Sequence, residues 1–143
     1  MTDSDAAADE ADDRGAPLGL GRVLFGLGMA LQASEDFRDM EDTVEYAESA
    51  GVPMPELAAP FASGMMLASG LGVALWRVPR LTTGAVAAFL AVVTPTMHDF
   101  WNVEDPQQRQ SEMTDFLKNV ALFGTALALL ALAGEPWPYA LSL

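Results

Sequence analysis

A chain of 143 residues has room for one domain, and this one pairs a hydrophobic fraction of 51% with a net charge of −13, a combination that an evenly mixed globular sequence does not show. The acidic balance argues against a phosphate-rich partner, nucleic acid included. The absence of cysteine excludes disulfides, thiolate metal sites and iron–sulfur clusters.

In chain order the first element is an acidic segment. Asp3, Asp5, Asp9, Glu10, Asp12 and Asp13 crowd residues 1–16, a composition that predicts a disordered tail. A secretory signal would be basic here, and the apolar segment that follows runs into acid without an A-x-A-like cleavage site, so an uncleaved anchor is predicted. The acidic excess, one lysine against six arginines and abundant alanine together resemble proteins of salt-in halophiles, whose carboxylate surfaces stay hydrated in molar salt. A generic acidic tail fits residues 1–14 equally well.

Four apolar segments follow, at 18–33, 57–76, 81–97 and 116–134. The second, free of ionisable residues over about 20 positions, meets the length of a bilayer-spanning helix unaided. The first needs residues 15–17 as well and must tolerate Arg22; the fourth must tolerate Lys118. Both cations lie near a segment end, from which a long side chain reaches the headgroups. Residues 85–93 are apolar all round and 120–133 are interrupted only by Thr125, leaving no polar face for a soluble bundle. The predicted fold is therefore all-α: a domain over 17–143 holding an antiparallel bundle of four transmembrane helices at about 17–34, 56–76, 81–98 and 116–134. Trp76, Trp101, and Trp137 with Tyr139 follow the second, third and fourth segments, where the interfacial aromatic belts lie.

Arg77 and Arg80 occupy a short connection without acid, on the side of Arg14 and Arg22 if spans alternate, while Arg38, Arg109 and Lys118 lie opposite. This slight bias predicts a multi-pass protein of the cell membrane with both termini in the cytoplasm. In the first outer loop, residues 42–50 read as a short interfacial helix closed by Gly51, with Pro53 and Pro55 preventing continuation. In the second, Asp105-Pro106-Gln107-Gln108 has an N-cap acid and a proline at the first helical position, and starts a helix that runs into the fourth span. Gly26 and Ala30 in the first segment, and Gly64, Ala68 and Gly72 in the second, allow close helix approach in lipid, either within one bundle or across a homodimer.

The most polar stretch near the membrane is residues 94–102. Pro95 removes a helical hydrogen bond and frees carbonyls that Thr94, Thr96 or water can satisfy. His98, the one histidine, titrates in the range that lets a ring pass a proton to a quinone or another small ligand at the interface. A structural histidine bonded to Asp99 or to a backbone carbonyl is the favoured reading. Across the hairpin, Gln107, Gln110, Lys118 and Asn119 come to a similar depth. The candidate ligand-binding residues are His98, Trp101, Lys118 and Asn119, with membrane lipid or a bound quinone as the ligand; a snorkelling lysine and an amide bridging two helices explain the last two as simply. Arg22 reads as a positive-inside anchor. One histidine without cysteine supplies neither a usual zinc site nor bis-histidine haem ligation, and no catalytic set or phosphate loop is recognisable. Redox chemistry, if performed, needs a diffusible ligand or a partner's cofactor.

Three stretches resemble the DoxX-like family of small four-helix membrane proteins, over residues 19–133. They are Arg22-Val23-Leu24-Phe25-Gly26; Tyr46-Ala47 with Gly51-Val52-Pro53-Met54-Pro55; and His98-Asp99-Phe100-Trp101 with Glu104-Asp105-Pro106 and residues 116–124. The resemblance implies the four-helix membrane fold and an association with membrane redox processes, among them quinone-linked sulfur oxidation and oxidative-stress assemblies. Two features depart from the pattern. Family members often carry an acid within the second span, where this chain has Met65 and Met66, and a base after the first, where it has Glu35 and Asp36. The expectation is an accessory or subunit protein of a quinone-linked membrane redox system, without a cofactor of its own and with a redox-enzyme subunit as partner. The alternatives are a structural membrane scaffold and a small-solute transporter; the latter needs a polar path that threonines, serines and terminal charges hardly supply.

Overall fold

The computed structural model describes residues 2–134. Over them it is helical: α1 (Asp3–Arg38), α2 (Met40–Ser49), α3 (Pro55–Leu75), α4 (Pro79–Met97), a 3-10 turn at Phe100–Asn102, and α5 (Pro106–Ala131). Trp137 and Tyr139 lie outside the described residues.

Helix α1 begins at Asp3, well before residue 17, so it takes in the acidic segment expected as a disordered tail. The local reason lies at its start, where the Asp5 carboxylate accepts from the Thr2 N–H at 3.1 Å and the Thr2 hydroxyl at 2.8 Å. Acids in the first turn also suit the positive end of the helix dipole. The later boundaries follow the sequence reading. Gly51, at φ 77°, closes α2, and Asp105 accepts from the Gln107 N–H at 2.9 Å, so that α5 starts at Pro106 and runs on without a break.

Helix α3, the stretch Pro79–Asn102 and α5 are each long and apolar enough to cross a membrane. The first helix packs across the second: α1 lies chiefly on α3, α3 on α4, α4 on α5, and α2 on α3. The core joins Phe25 and Met29 of α1, Met66 and Val73 of α3, Val86 and Leu90 of α4, and Ala126 and Leu129 of α5.

Between α1 and α3 the backbones meet directly. A Cβ added at Gly26 would lie 2.5 Å from both the Ala74 nitrogen and the Gly70 oxygen, and one added at Gly70 would lie 2.7 Å from the Gly26 oxygen. The small-residue stripe of the first segment is thus used within the chain, against Gly70 and Ala74. The row anticipated in the second segment is not its partner: Gly72 makes room for Thr82 of α4, Gly64 faces Phe37, and Ala68 is exposed.

The α3–α4 connection spans only residues 76–78, and Trp76 (φ 53°) and Val78 (φ 47°) both take the left-handed conformation. That geometry costs L-residues about 1–2 kcal/mol each, offset here by the Schellman-type closure from the Arg77 N–H to the Gly72 oxygen at 2.8 Å. Trp76 does not sit in an exposed aromatic belt as expected. Its ring is buried at 4% exposure, with the Arg22 guanidinium 5.6 Å from the ring centroid. Arg22 is therefore packed inside the protein, not snorkelling to headgroups.

Candidate functional site

Helices α1, α3 and α4 line a half-open cavity of about 770 Å³ that α2 borders and Asn119 of α5 reaches. Most of its wall is apolar, including Met29, Phe61, Met65, Met66 and Phe89. Its polar groups come from five different elements. The last turn of α1 carries Asp36, whose Oδ2 accepts from the Ser63 hydroxyl of α3 at 3.1 Å. The underside of α2 carries Tyr46, whose hydroxyl donates to the Met97 oxygen at 3.0 Å and ties α2 to the end of α4. His98 caps α4, and its Nδ1 lies 2.8 Å from the Glu112 Oε2 of α5. A carboxylate only accepts, so Nδ1–H is the donor, and Nε2 accepts whenever the ring is neutral. Asn119 is buried, and its side chain makes no hydrogen bond with a described residue.

Of the four residues expected to bind a ligand, the structure brings two to this cavity, His98 and Asn119. Trp101 lies elsewhere, 54% exposed, in a cluster of edge-on rings with Phe100 at 5.3 Å and Phe116 at 5.8 Å. Lys118 is exposed and paired with Asp115 at 2.8 Å, outside the cavity lining. The expected His98 partner was Asp99 or a backbone carbonyl; the Asp99 carboxylate instead accepts from Asn102 at 3.1 Å, and Glu112 across the hairpin holds the ring. Thr96 donates to the Val92 oxygen at 2.7 Å near Pro95. The Thr94 hydroxyl satisfies no carbonyl freed by Pro95, being buried without a hydrogen bond against a smaller cavity of about 270 Å³ beside Phe116 and Phe123.

Asp36, Ser63, Tyr46 and Glu112 were missed by sequence reasoning. For Asp36 a signal existed: Arg22, Phe25, Met29, Ala33 and Asp36 recur at three- and four-residue spacing, so the carboxylate continues the inward stripe of α1. The surrounding run of acids hid it. Among the described residues no group of three or more carboxylates and histidines is placed to hold a metal.

The electrostatics of the site follow from its burial. Desolvation pushes the Asp36 carboxyl above the usual range, and the Ser63 hydrogen bond only partly counters it. Tyr46 is also raised, first by burial and then by the carboxylates of Glu112, Asp115 and Asp99, which keeps its tethering proton in place. With the folded Asp36 value above the unfolded one, the folded state holds the extra proton between the two, so stability falls as pH rises through that window. Asp36→Asn is therefore expected to raise the melting temperature at pH 7, with the gain vanishing below about pH 3, where both carboxyl states are neutral. Melts in detergent across that range test it, and identical curves at pH 7 would mean that the carboxyl is well solvated.

The DoxX family model matches residues 18–99, more than half of the chain. The chain belongs to the DoxX family. No curated protein and no solved structure matches it. The DoxX match covers α1 from Leu18 through to the end of α4 and so includes Asp36, Tyr46, Ser63 and His98; Glu112 and Asn119 lie beyond it on α5. Helix α3 has no acid at Met65 or Met66, yet the Asp36 carboxylate of α1 is delivered to the neighbouring Ser63 of that same helix.

Proposed function

We propose that this DoxX-family membrane protein is an accessory or subunit protein of a quinone-linked redox system, holding a lipid-soluble quinone-type ligand beneath α2 and carrying no cofactor of its own. The observation that carries the reading is the cavity: about 770 Å³, walled by methionine and aromatic side chains, with polar groups from five elements converging on it. That volume and composition are those of small-molecule sites. Phe61 and Val92 line it and are also exposed on the outer faces of α3 and α4, which gives a ligand tail a path to the lipid.

Helix α1 acts as a fourth span in this proposal. Leu20, Leu24, Leu27 and Leu31 stand exposed at helical spacing on one face, while the face with Gly26 and Ala30 lies on α3. The four spans alternate in the cell membrane with both termini in the cytoplasm, on the side of Arg22, Arg77 and Arg80, and α2 lies on the outer face. A redox-enzyme subunit is the partner, reached through the outer end.

Protein purified in mild detergent from its own membranes is expected to carry quinone among its extracted lipids, a redox-enzyme polypeptide in stoichiometric amount, or both, by mass spectrometry. His98→Ala should weaken binding of an added short-chain quinol about tenfold, the loss of one hydrogen bond, from a quinol hydroxyl to Nε2, of about 1.4 kcal/mol. Equal binding by the variant removes His98 from the site. A clean preparation with bulk lipid alone and no affinity for quinone would leave a structural scaffold as the better description.

A further inference from the structure

We propose that the cavity selects the reduced, hydroxyl-headed form of its ligand, a quinol, over the carbonyl-headed quinone, with Asp36 as the acceptor that discriminates. The inference rests on the quinone reading above and deepens it.

It comes from the hydrogen-bonding capacity left over around the cavity. The donors are largely committed to the protein. Ser63 donates to Asp36 Oδ2 at 3.1 Å, Thr43 to the Asp39 oxygen at 3.0 Å, Thr96 to the Val92 oxygen at 2.7 Å and Tyr46 to the Met97 oxygen at 3.0 Å. His98 donates its Nδ1 proton to Glu112 at 2.8 Å. The acceptors are left over. Asp36 has its second carboxylate oxygen, Tyr46 the lone pairs of its hydroxyl, His98 the Nε2 of its neutral ring, and Asn119 its amide oxygen. No lysine or arginine lines the cavity. Asn119, buried and without a hydrogen bond, offers both a donor and an acceptor at depth, and Gln32 offers both at the exposed margin.

A quinone head has two carbonyl oxygens and can only accept. It finds the Asn119 amide and, at the exposed margin, that of Gln32, and it brings an oxygen lone pair towards the Asp36 carboxylate, leaving that acceptor desolvated and unpaired. A quinol brings two O–H donors. One meets the free oxygen of Asp36 or the His98 Nε2, and its hydroxyl oxygen still accepts from the Asn119 amide. Charge-assisted hydrogen bonds to a carboxylate are the stronger kind, so Asp36 contributes most of the preference. The chain needs to transfer no electron for this. By linkage, a tenfold tighter grip on the reduced form raises the midpoint of the bound two-electron couple by about 30 mV.

The test is equilibrium dialysis of the full chain in detergent, under argon, against a decyl-tailed benzoquinol and the matching benzoquinone. Wild type is expected to bind the quinol at least tenfold more tightly. Asp36→Asn, whose amide oxygen can keep the Ser63 hydrogen bond while its nitrogen adds a donor, should bring the ratio close to one. Equal affinities in the wild type, or a preference for the quinone, would overturn the selectivity while leaving a quinone site in place; a variant that keeps the full preference would overturn the role of Asp36. Binding of neither form would remove the quinone reading itself, and the selectivity with it.

Discussion

Gly26→Ala is expected to cost about 3 kcal/mol, the upper range for overpacking a close contact, and to lower the melting temperature in detergent by about 10 °C. The reason is that the new atom meets backbone and not a movable side chain. Its place is already taken by the Ala74 nitrogen and the Gly70 oxygen at 2.5 Å, and Ala30 sits against Gly70 one turn further along the same contact. Relief requires α1 and α3 to separate, which opens the core at Phe25, Met29, Met66 and Val73 together. Gly28→Ala is the matched control, since a Cβ there meets nothing within 4 Å. It should melt at or slightly above the wild type, alanine being about 0.5–1 kcal/mol better than glycine inside a helix. Circular dichroism melts of the three proteins decide the matter, and equal melting of Gly26→Ala and wild type would mean that α1 and α3 do not meet backbone to backbone.

The second large effect is all-or-none. The chain has no cysteine, so single cysteines can be placed without background and labelled with a membrane-impermeant maleimide. Asp3→Cys and Arg77→Cys should react only in inverted vesicles, and Glu48→Cys and Gln108→Cys only in right-side-out ones. The physical basis is the basic end of the molecule: Arg22 lies over Trp76 next to the connection that carries Arg77 and leads to Arg80, and short basic connections stay on the cytoplasmic side. If Asp3→Cys reacts from the same side as Glu48→Cys, α1 does not cross and only three spans remain. If all four sites reverse together, four spans stand and the orientation is wrong.

How much of this was legible in the sequence depends on the kind of signal. Long apolar runs impose their own helices, because a backbone in lipid must satisfy its hydrogen bonds internally, so α3, α4 and α5 and the start at Pro106 were accessible before any coordinates. The α1 start was not, because composition weighs the charges of residues 3–13 while the hydrogen bonds between Thr2 and Asp5 and the alanines between the acids act locally. The site was half legible. His98 and Asn119 stood out as lone polar residues next to apolar ones, whereas Asp36 was one acid in a run of acids, distinguished only by its phase on α1. Glu112 was passed over because the His98 partner was sought on the adjacent turn, and the hairpin supplied it from fourteen residues away.

The contact of Gly26 with Gly70 has a mechanical side as well. Helices that interlock through long side chains can slide, because rotamers absorb the displacement. Two backbones in direct contact have nothing between them to deform. The α1–α3 pair therefore behaves as a fixed wall that carries Asp36 and Ser63 as one rigid pair. Any widening of the cavity to admit or release a ligand must come from the other side, where the Tyr46 hydroxyl on the Met97 carbonyl is a single hydrogen bond between α2 and α4, and where Pro95 has already removed one rung of the α4 ladder.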